Sequence, residues 1–344
     1  MGRGTEDFIA GGYLLEHGSF SPCTVVRSGG RTEIDPGMPD RFDFKAVFIK
    51  DMVNAHTHCA DYGLQVPEGL SLEELVAPPD GLKHRYLSGL DGEGLMENMR
   101  RFDQSSSMHG SASFIDFREG GAAGCRALRE CSRDAVILGR PVSKEYDPEE
   151  VAELLSVADG IGISSISDMD IGYIEAVADD VRSSNKLFAI HASERVREDI
   201  DAILSLDPAF VVHMCEATDD DISKCAEAEV PIVVCPTSNS YFRKTAPVAR
   251  MIECGADIGI GTDNGMLCEP DLLAEALALS SIMTSQGGDA EDVWKALSGF
   301  STKILYRASK KGKEESERYL TVIPQVGERV EFDPPGKQPF RIEI

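Results

Sequence analysis

The chain has 344 residues, 42% of them hydrophobic, which suits one barrel-sized domain with an appendage and a large buried core. A formal charge of −25 argues against a nucleic-acid backbone or an anionic membrane as the main partner, since either would repel such a surface. The nine cysteines form no Cys-x-x-Cys pair, and Cys215, Cys235 and Cys254 lie in or beside apolar runs, so they read as buried free thiols of a reducing, cytoplasmic compartment. With no apolar leader and no run of about 18 apolar residues, neither secretion nor membrane spanning is expected.

In chain order, residues 1–46 read as short strands broken by turn signals at Gly11-Gly12, Ser28-Gly29-Gly30-Arg31 and Asp35-Pro36-Gly37. The tail over 320–344 has the same character, in Tyr319–Ile323, Arg329–Phe332 and Phe340–Ile344, so the two ends are expected to pair into one small β domain. Between them, over 47–319, apolar strand-like runs end near Val53, Phe117, Gly139, Ser164, His191, His213, Cys235 and Thr262, from the second onward roughly every 25 residues. The first of these runs, Lys45–Val53, reads as a buried strand that gives out into a loop just before His56 and His58. Helical spacing fills the intervals, as in Val151, Leu154 and Leu155, or Val196, Ile200, Ile203 and Leu204. Eight such strand–helix units close most naturally into a (β/α)8 TIM barrel.

Barrels of this kind carry their chemistry at the C-terminal ends of the strands. Four of the seven histidines fall at predicted strand ends: His56 and His58 on the first, His191 in Phe188-Ala-Ile-His191, and His213 in Val211-Val-His213. The eighth strand runs into Asp263, while His17, His84 and His109 fit no strand end and read as structural. His56 and His58, two apart on an extended chain, face the same way and form a bidentate clamp for a borderline divalent ion such as Zn2+ or Fe2+. Nitrogen donors with one carboxylate describe a catalytic metal site, with a coordination position left open for water.

His56-Thr-His58, His191-Ala-Ser-Glu194, Val212-His213, Val234-Cys-Pro-Thr-Ser-Asn239 and Gly259-Ile-Gly-Thr-Asp-Asn264, in this order, resemble the amidohydrolase superfamily, in its cytosine deaminase, guanine deaminase and chlorohydrolase branch. The resemblance implies that His56, His58, His191 and Asp263 ligate one metal ion, that His213 positions and polarises the attacking water, and that Glu194 shuttles protons to the leaving group. Asp263, beside the same water, could accept its proton. Two-metal members carry a bridging lysine carbamate at the end of strand four. Here that strand ends Ile161-Gly-Ile-Ser-Ser165, with no lysine between Lys144 and Lys186, so a single ion per chain is expected, most simply Zn2+, with Fe2+ the alternative. The activity expected is hydrolytic deamination of an amino-substituted purine, pyrimidine, pterin or related ring. The competing readings are another leaving group, halide or cyclic amide, and a catalytically inactive binding barrel.

The segment Cys59–Gly89 is long enough to stand over the barrel mouth as a lid. It carries Lys83, His84 and Arg85, and other strand-end loops add Arg118, Arg140, Lys144, Arg243 and Lys244; Lys83, Arg85, Arg118 and Arg140 are the candidates to bind a small-molecule substrate that carries an anionic group. A homo-oligomer is compatible with the sequence. Glu119-Gly-Gly-Ala-Ala-Gly124 reads as a strand-to-helix turn, and Cys59 as a conceivable soft ligand beside a set already complete. Asn239 is expected to cap the next segment and brace the barrel mouth.

Overall fold

The computed structural model describes residues 6–16, 18–76, 80–308, 319–326 and 338–344. The expected strand at Arg329–Phe332, and His17, lie outside those residues. The N-terminal strands β1 (Phe8–Glu16), β2 (Ser19–Ser28), β3 (Arg31–Pro36) and β4 (Phe44–Lys50) form a sheet with the C-terminal strands β14 (Tyr319–Gln325) and β15 (Phe340–Glu343), in the order β15-β14-β4-β1-β2-β3. β4 runs parallel to β1 and antiparallel to β14, with Ile49 opposite Thr321. The parallel contact is close: a Cβ on Gly12 would stand 1.8 Å from the Ala46 carbonyl oxygen, so only glycine fits there.

The run Lys45–Val53 is therefore not one strand entering the barrel. Asp51, at φ 44°, turns the chain between β4 and the first barrel strand β5 (Val53–His58), and the terminal sheet extends to Lys50 rather than stopping at residue 46. Four consecutive buried residues, Ala46–Ile49, hide this turn from a periodicity reading, because an apolar run has no period to interrupt. His56 and His58 accordingly lie within β5, not in a loop after it.

The remaining strands are β6 (Ser113–Arg118), β7 (Ala135–Gly139), β8 (Gly160–Ile163), β9 (Leu187–Ala192), β10 (Phe210–His213), β11 (Ile232–Val234), β12 (Ile258–Ile260) and β13 (Asp263–Asn264). They pair in parallel and in sequence from β5 to β12, and β13 pairs back onto β5 with Asn264 opposite His58. β12 and β13 are the two halves of an eighth strand broken at Gly261-Thr262, so the sheet closes as a (β/α)8 barrel. Closure rests on the Asn54 side chain, whose Nδ2 donates to Thr262 Oγ1 at 2.8 Å while its Oδ1 accepts from Thr262 N at 3.0 Å. A Cβ on Gly261 would come within 2.8–2.9 Å of His56.

Between β5 and β6 lie α1 (Leu72–Val76), α2 (Leu82–Gly89) and α3 (Gly92–Met108); the later helices are α4 (Gly121–Cys131), α5 (Pro148–Val157), α6 (Ile171–Ser183), α7 (Ile200–Ser205), α8 (Asp219–Glu227), α9 (Pro236–Tyr241), α10 (Val248–Glu253), α11 (Leu272–Ser285) and α12 (Val293–Ala308). Asp91, Asp147, Asp170, Asp199 and Asp271 cap α3, α5, α6, α7 and α11 through their side chains. At about 1 kcal/mol per cap, part of the acidic excess thus stabilises helix starts. The turn Glu119-Gly120 leads from β6 into α4, with Gly120 at φ 87°. Among the described residues no helix is long and apolar enough to cross a membrane.

Candidate active site

The apolar core rises through the barrel to Phe117, whose ring centroid lies 4.5 Å from His56 and 4.9 Å from His191. On this floor His56 Nε2 stands 3.2 Å from His191 Nε2 and 3.3 Å from Asp263 Oδ1, and His58 Nε2 stands 3.6 Å from the same oxygen. Two donors each about 2.1 Å from a tetrahedral ion are about 3.4 Å apart, so this spacing fits a divalent cation at their centre. Burial pushes the His56 pKa down to about 3 and holds His191 well below the ordinary imidazole value. Both rings are therefore neutral at pH 7, as metal ligands must be. Burial opposes ionisation of Asp263, but its contacts with His56 and the fields of His213 and His58 outweigh it and keep the carboxylate charged.

His58 and His191 are each aimed by a second contact, whereas the buried Nδ1 of His56 has no hydrogen-bond partner among the described residues. His58 Nδ1 lies 3.2 Å from the Phe117 carbonyl and 3.1 Å from Glu119 Oε1, and His191 Nδ1 lies 2.9 Å from the Ile163 carbonyl. Those acceptors fix the ring proton on Nδ1 and leave the Nε2 lone pair facing the cluster. His213 is held the opposite way, because Asn239 Nδ2 donates to its Nδ1 at 3.0 Å, leaving the proton on Nε2, 3.7 Å from Glu194 Oε2. Ser238 Oγ donates to Asp263 Oδ2 at 2.5 Å. Asn239 thus sits inside α9 and braces His213 directly, and the expected capping role falls away: the N-cap of α9 is Cys235. His213 and Asp263 are both in the left-handed region, at φ 77° and 61°, a strain of order 1–3 kcal/mol each that packing must hold.

Glu275, from α11, accepts from Thr237 N at 3.0 Å and so secures the segment that carries Ser238 and Asn239. Burial pushes its pKa up to about 7, against an ordinary 4.5. The folded protein therefore binds a proton that the unfolded chain has released between those values, and ionising Glu275 costs stability as pH rises through 7. Glu275→Gln keeps an acceptor for Thr237. It should match the wild type below pH 4.5 and gain on it as pH rises to about 7, by roughly 3 kcal/mol at full size. Urea denaturation of both proteins from pH 4.5 to 8.5 measures this; a constant difference would show that Glu275 does not titrate in that window.

A second layer of charge lies behind His58. Lys83, from α2, is buried with Nζ 2.9 Å from Glu119 Oε1, 3.1 Å from Asn264 Oδ1 and 3.5 Å from Asp61 Oδ2. Arg118 is buried against Asp116 at 3.4 Å and is also bonded to Glu119. Burial alone would raise the Glu119 pKa, but Lys83, Arg118 and His58 hold it well below the usual carboxylate value. Burial pushes Asp61 up to about 6 despite Lys83. The sequence placed Glu119 only at the head of a strand-to-helix turn and Asp61 only within the lid segment, with no role at the site for either. Glu119 follows the last residue of β6, so the strand-end rule applied to carboxylates as well as histidines would have found it.

A protein from Archaeoglobus fulgidus described as "Putative aminohydrolase" is 38% identical over 273 residues, which are 78% of this chain and 77% of that one. The chain belongs to the amidohydrolase superfamily. It is a hydrolytic enzyme of C–N bonds. No protein-family model matches it. The fold of this amidohydrolase is shared with a zinc-bound adenosine deaminase from Xanthomonas campestris (TM-score 0.69, 16% identity, 92% of this chain and 84% of that one). It is shared equally with a guanine deaminase from C. acetobutylicum with bound guanine (TM-score 0.69, 14% identity, 92% and 91%).

A cavity of about 1190 Å³ opens above the histidine–aspartate cluster of the amidohydrolase, lined by His58, His191, His213, Asp263 and Glu194 among others. Burial raises the Glu194 pKa above the ordinary carboxyl value. Lys83 and Arg140 line the cavity, as do Lys144 and His84, the latter bonded through Nε2 to the Val76 carbonyl at 3.0 Å. Arg118 and Arg85, also expected to meet substrate, are not among the residues that line it. Arg118 is committed to its buried acids, and Arg85 is exposed and bonded to the Asp80 carbonyl at 2.5 Å. Cys59 is fully buried beside Arg118, and its backbone N–H donates to Asp116 Oδ2 at 2.6 Å, so its thiol stands apart from the ligand cluster.

Proposed function

We propose that the protein is a single-metal deaminase that converts an amino-substituted heterocycle (purine, pyrimidine, pterin or related) and water into the oxo-heterocycle and ammonia. The observation that carries this reading is the convergence of three imidazole Nε2 atoms and one Asp263 oxygen at ligand spacing, beneath a cavity into which Glu194 and His213 also turn. His56, His58, His191 and Asp263 would hold the ion, most simply Zn2+, with Fe2+ the alternative. Such an ion lowers the pKa of water it holds towards about 7.

The chain's own groups supply the rest. His213, with its proton on Nε2, donates to the oxygen being added and fixes its place. Glu194, its pKa raised by burial, takes up a proton at the oxygen side and delivers it to the departing amine, a relay that needs a pKa nearer neutrality than that of a free carboxylate. Asp263, kept ionised, can accept the first proton of the attacking water. Ser164 and Ser165 stand where a two-metal site would need its bridging lysine, which supports one ion per chain.

Elemental analysis after saturation with zinc or with ferrous iron should give one ion per chain, and an ammonia-release screen over aminopurines, aminopyrimidines and pterins should find turnover. Two tightly held ions would overturn the single-metal reading. A fully loaded protein that releases no ammonia from any member of the panel would overturn the deaminase reading.

A further inference from the structure

In a chain with 59 acidic and 34 basic residues, cations inside a cavity should find acids, and two of the four lysines and arginines that line this one do. Lys83 is paired with Glu119, and Arg195 lies 3.7 Å from Asp168. Arg140, which directly follows β7, and Lys144, exposed in the loop beyond it, are different: among the described residues neither side chain has a hydrogen bond or ion pair, yet both line the cavity, and Arg140 is half-buried. Just past the neighbouring strand β8, Ser164 lines the same cavity with a buried hydroxyl that has no partner among the described residues.

The position of these groups sets a length. β7 lies two strands from β5, which carries His58, and two from β9, which carries His191. At about 4.8 Å per strand, Arg140 at the end of β7 stands roughly 10 Å around the barrel from either histidine. A bare heterocycle over the metal cluster would not reach it, and the cavity of about 1190 Å³ exceeds the space that such a ring needs. Two cations and a hydroxyl match a dianion with three terminal oxygens better than a singly charged carboxylate.

We infer that Arg140, Lys144 and Ser164 form a subsite for a phosphate monoester carried by the heterocycle on a spacer the size of a sugar. The substrate class is then a nucleotide-like amine rather than a free base. The inference rests on the deaminase reading for the position of the ring, but binding alone can test it.

The test compares matched pairs, adenosine with AMP, guanosine with GMP and cytidine with CMP, for calorimetric binding to zinc-loaded wild type, Arg140→Met and Arg140→Lys. Inorganic phosphate is a further probe, followed by thermal shift. In at least one pair the monophosphate should bind wild type ten or more times tighter than the nucleoside. In Arg140→Met that ratio should fall to about two, with an intermediate value in Arg140→Lys; zinc content and circular dichroism show that the variants are folded. Phosphate should raise the melting temperature of wild type more than that of Arg140→Met. The subsite is overturned if no monophosphate is preferred and phosphate gives no such difference, or if the preference survives unchanged in Arg140→Met. Absence of ammonia alongside an Arg140-dependent preference would instead count against the deaminase reading alone.

Discussion

His191→Ala and Asp263→Ala are each expected to yield protein that no longer retains a metal ion and has no measurable turnover. Glu194→Gln should retain one ion per chain and lose turnover by roughly 10²–10⁴-fold, the usual size of a lost proton relay. The contrast follows from geometry. His191 Nε2 and Asp263 Oδ1 each stand within 3.3 Å of His56 Nε2, in the ligand cluster, whereas Glu194 lies 3.7 Å from His213. Glutamine keeps the size of the side chain and removes only its ability to carry the proton. Metal content by elemental analysis, read beside initial rates, decides the matter, and a Glu194→Gln protein that comes out metal-free would refute this division of labour.

Lys83→Met should be the most damaging single change outside the ligand set. It leaves Glu119 and Asp61 buried without the ammonium that lies 2.9 and 3.5 Å from them, and breaking a buried pair in this way typically costs about 3–5 kcal/mol. Because Glu119 also holds His58 Nδ1 at 3.1 Å, metal affinity should fall roughly 10–100-fold. Adding Glu119→Gln to Lys83→Met should return part of the stability, since both charges then leave together. Urea denaturation and competition with a metal chelator provide the two readings. Loss of less than about 1 kcal/mol in the single variant, or no recovery in the double, would show that the cluster is not coupled as its distances imply.

That His56, His58, His191, His213 and Asp263 cluster was legible because it obeys a backbone rule: a group towards the C-terminal end of a barrel strand faces the mouth. The contacts that aim them were not. Ser238 reaches Asp263 from 25 positions away, Asn239 reaches His213 from 26, and Lys83 reaches Asn264 from 181, and no sequence period connects such partners. Charge misled in one respect. Arg118 and Lys83 look alike as loop cations, but the first is spent on neutralising acids beneath the site while the second also borders the cavity. The turn at Asp51 was hidden for a different reason, since buried strands on either side of it, in two different sheets, read as one apolar run.

The sheet that joins the chain ends imposes an order on synthesis. β4, with Ala46–Ile49 all buried in the finished fold, lies between β1 and β14, so one of its edges stays unpaired until Tyr319 has left the ribosome. Some 270 residues separate Lys50 from Tyr319, which at 5–20 residues per second is roughly a quarter of a minute to a minute of translation. Throughout that interval the nascent chain presents an open, apolar strand edge of the kind that templates aggregation. The arrival of β14 is thus what retires this hazard, and synthesis that halts within the barrel leaves a chain with that edge still bare.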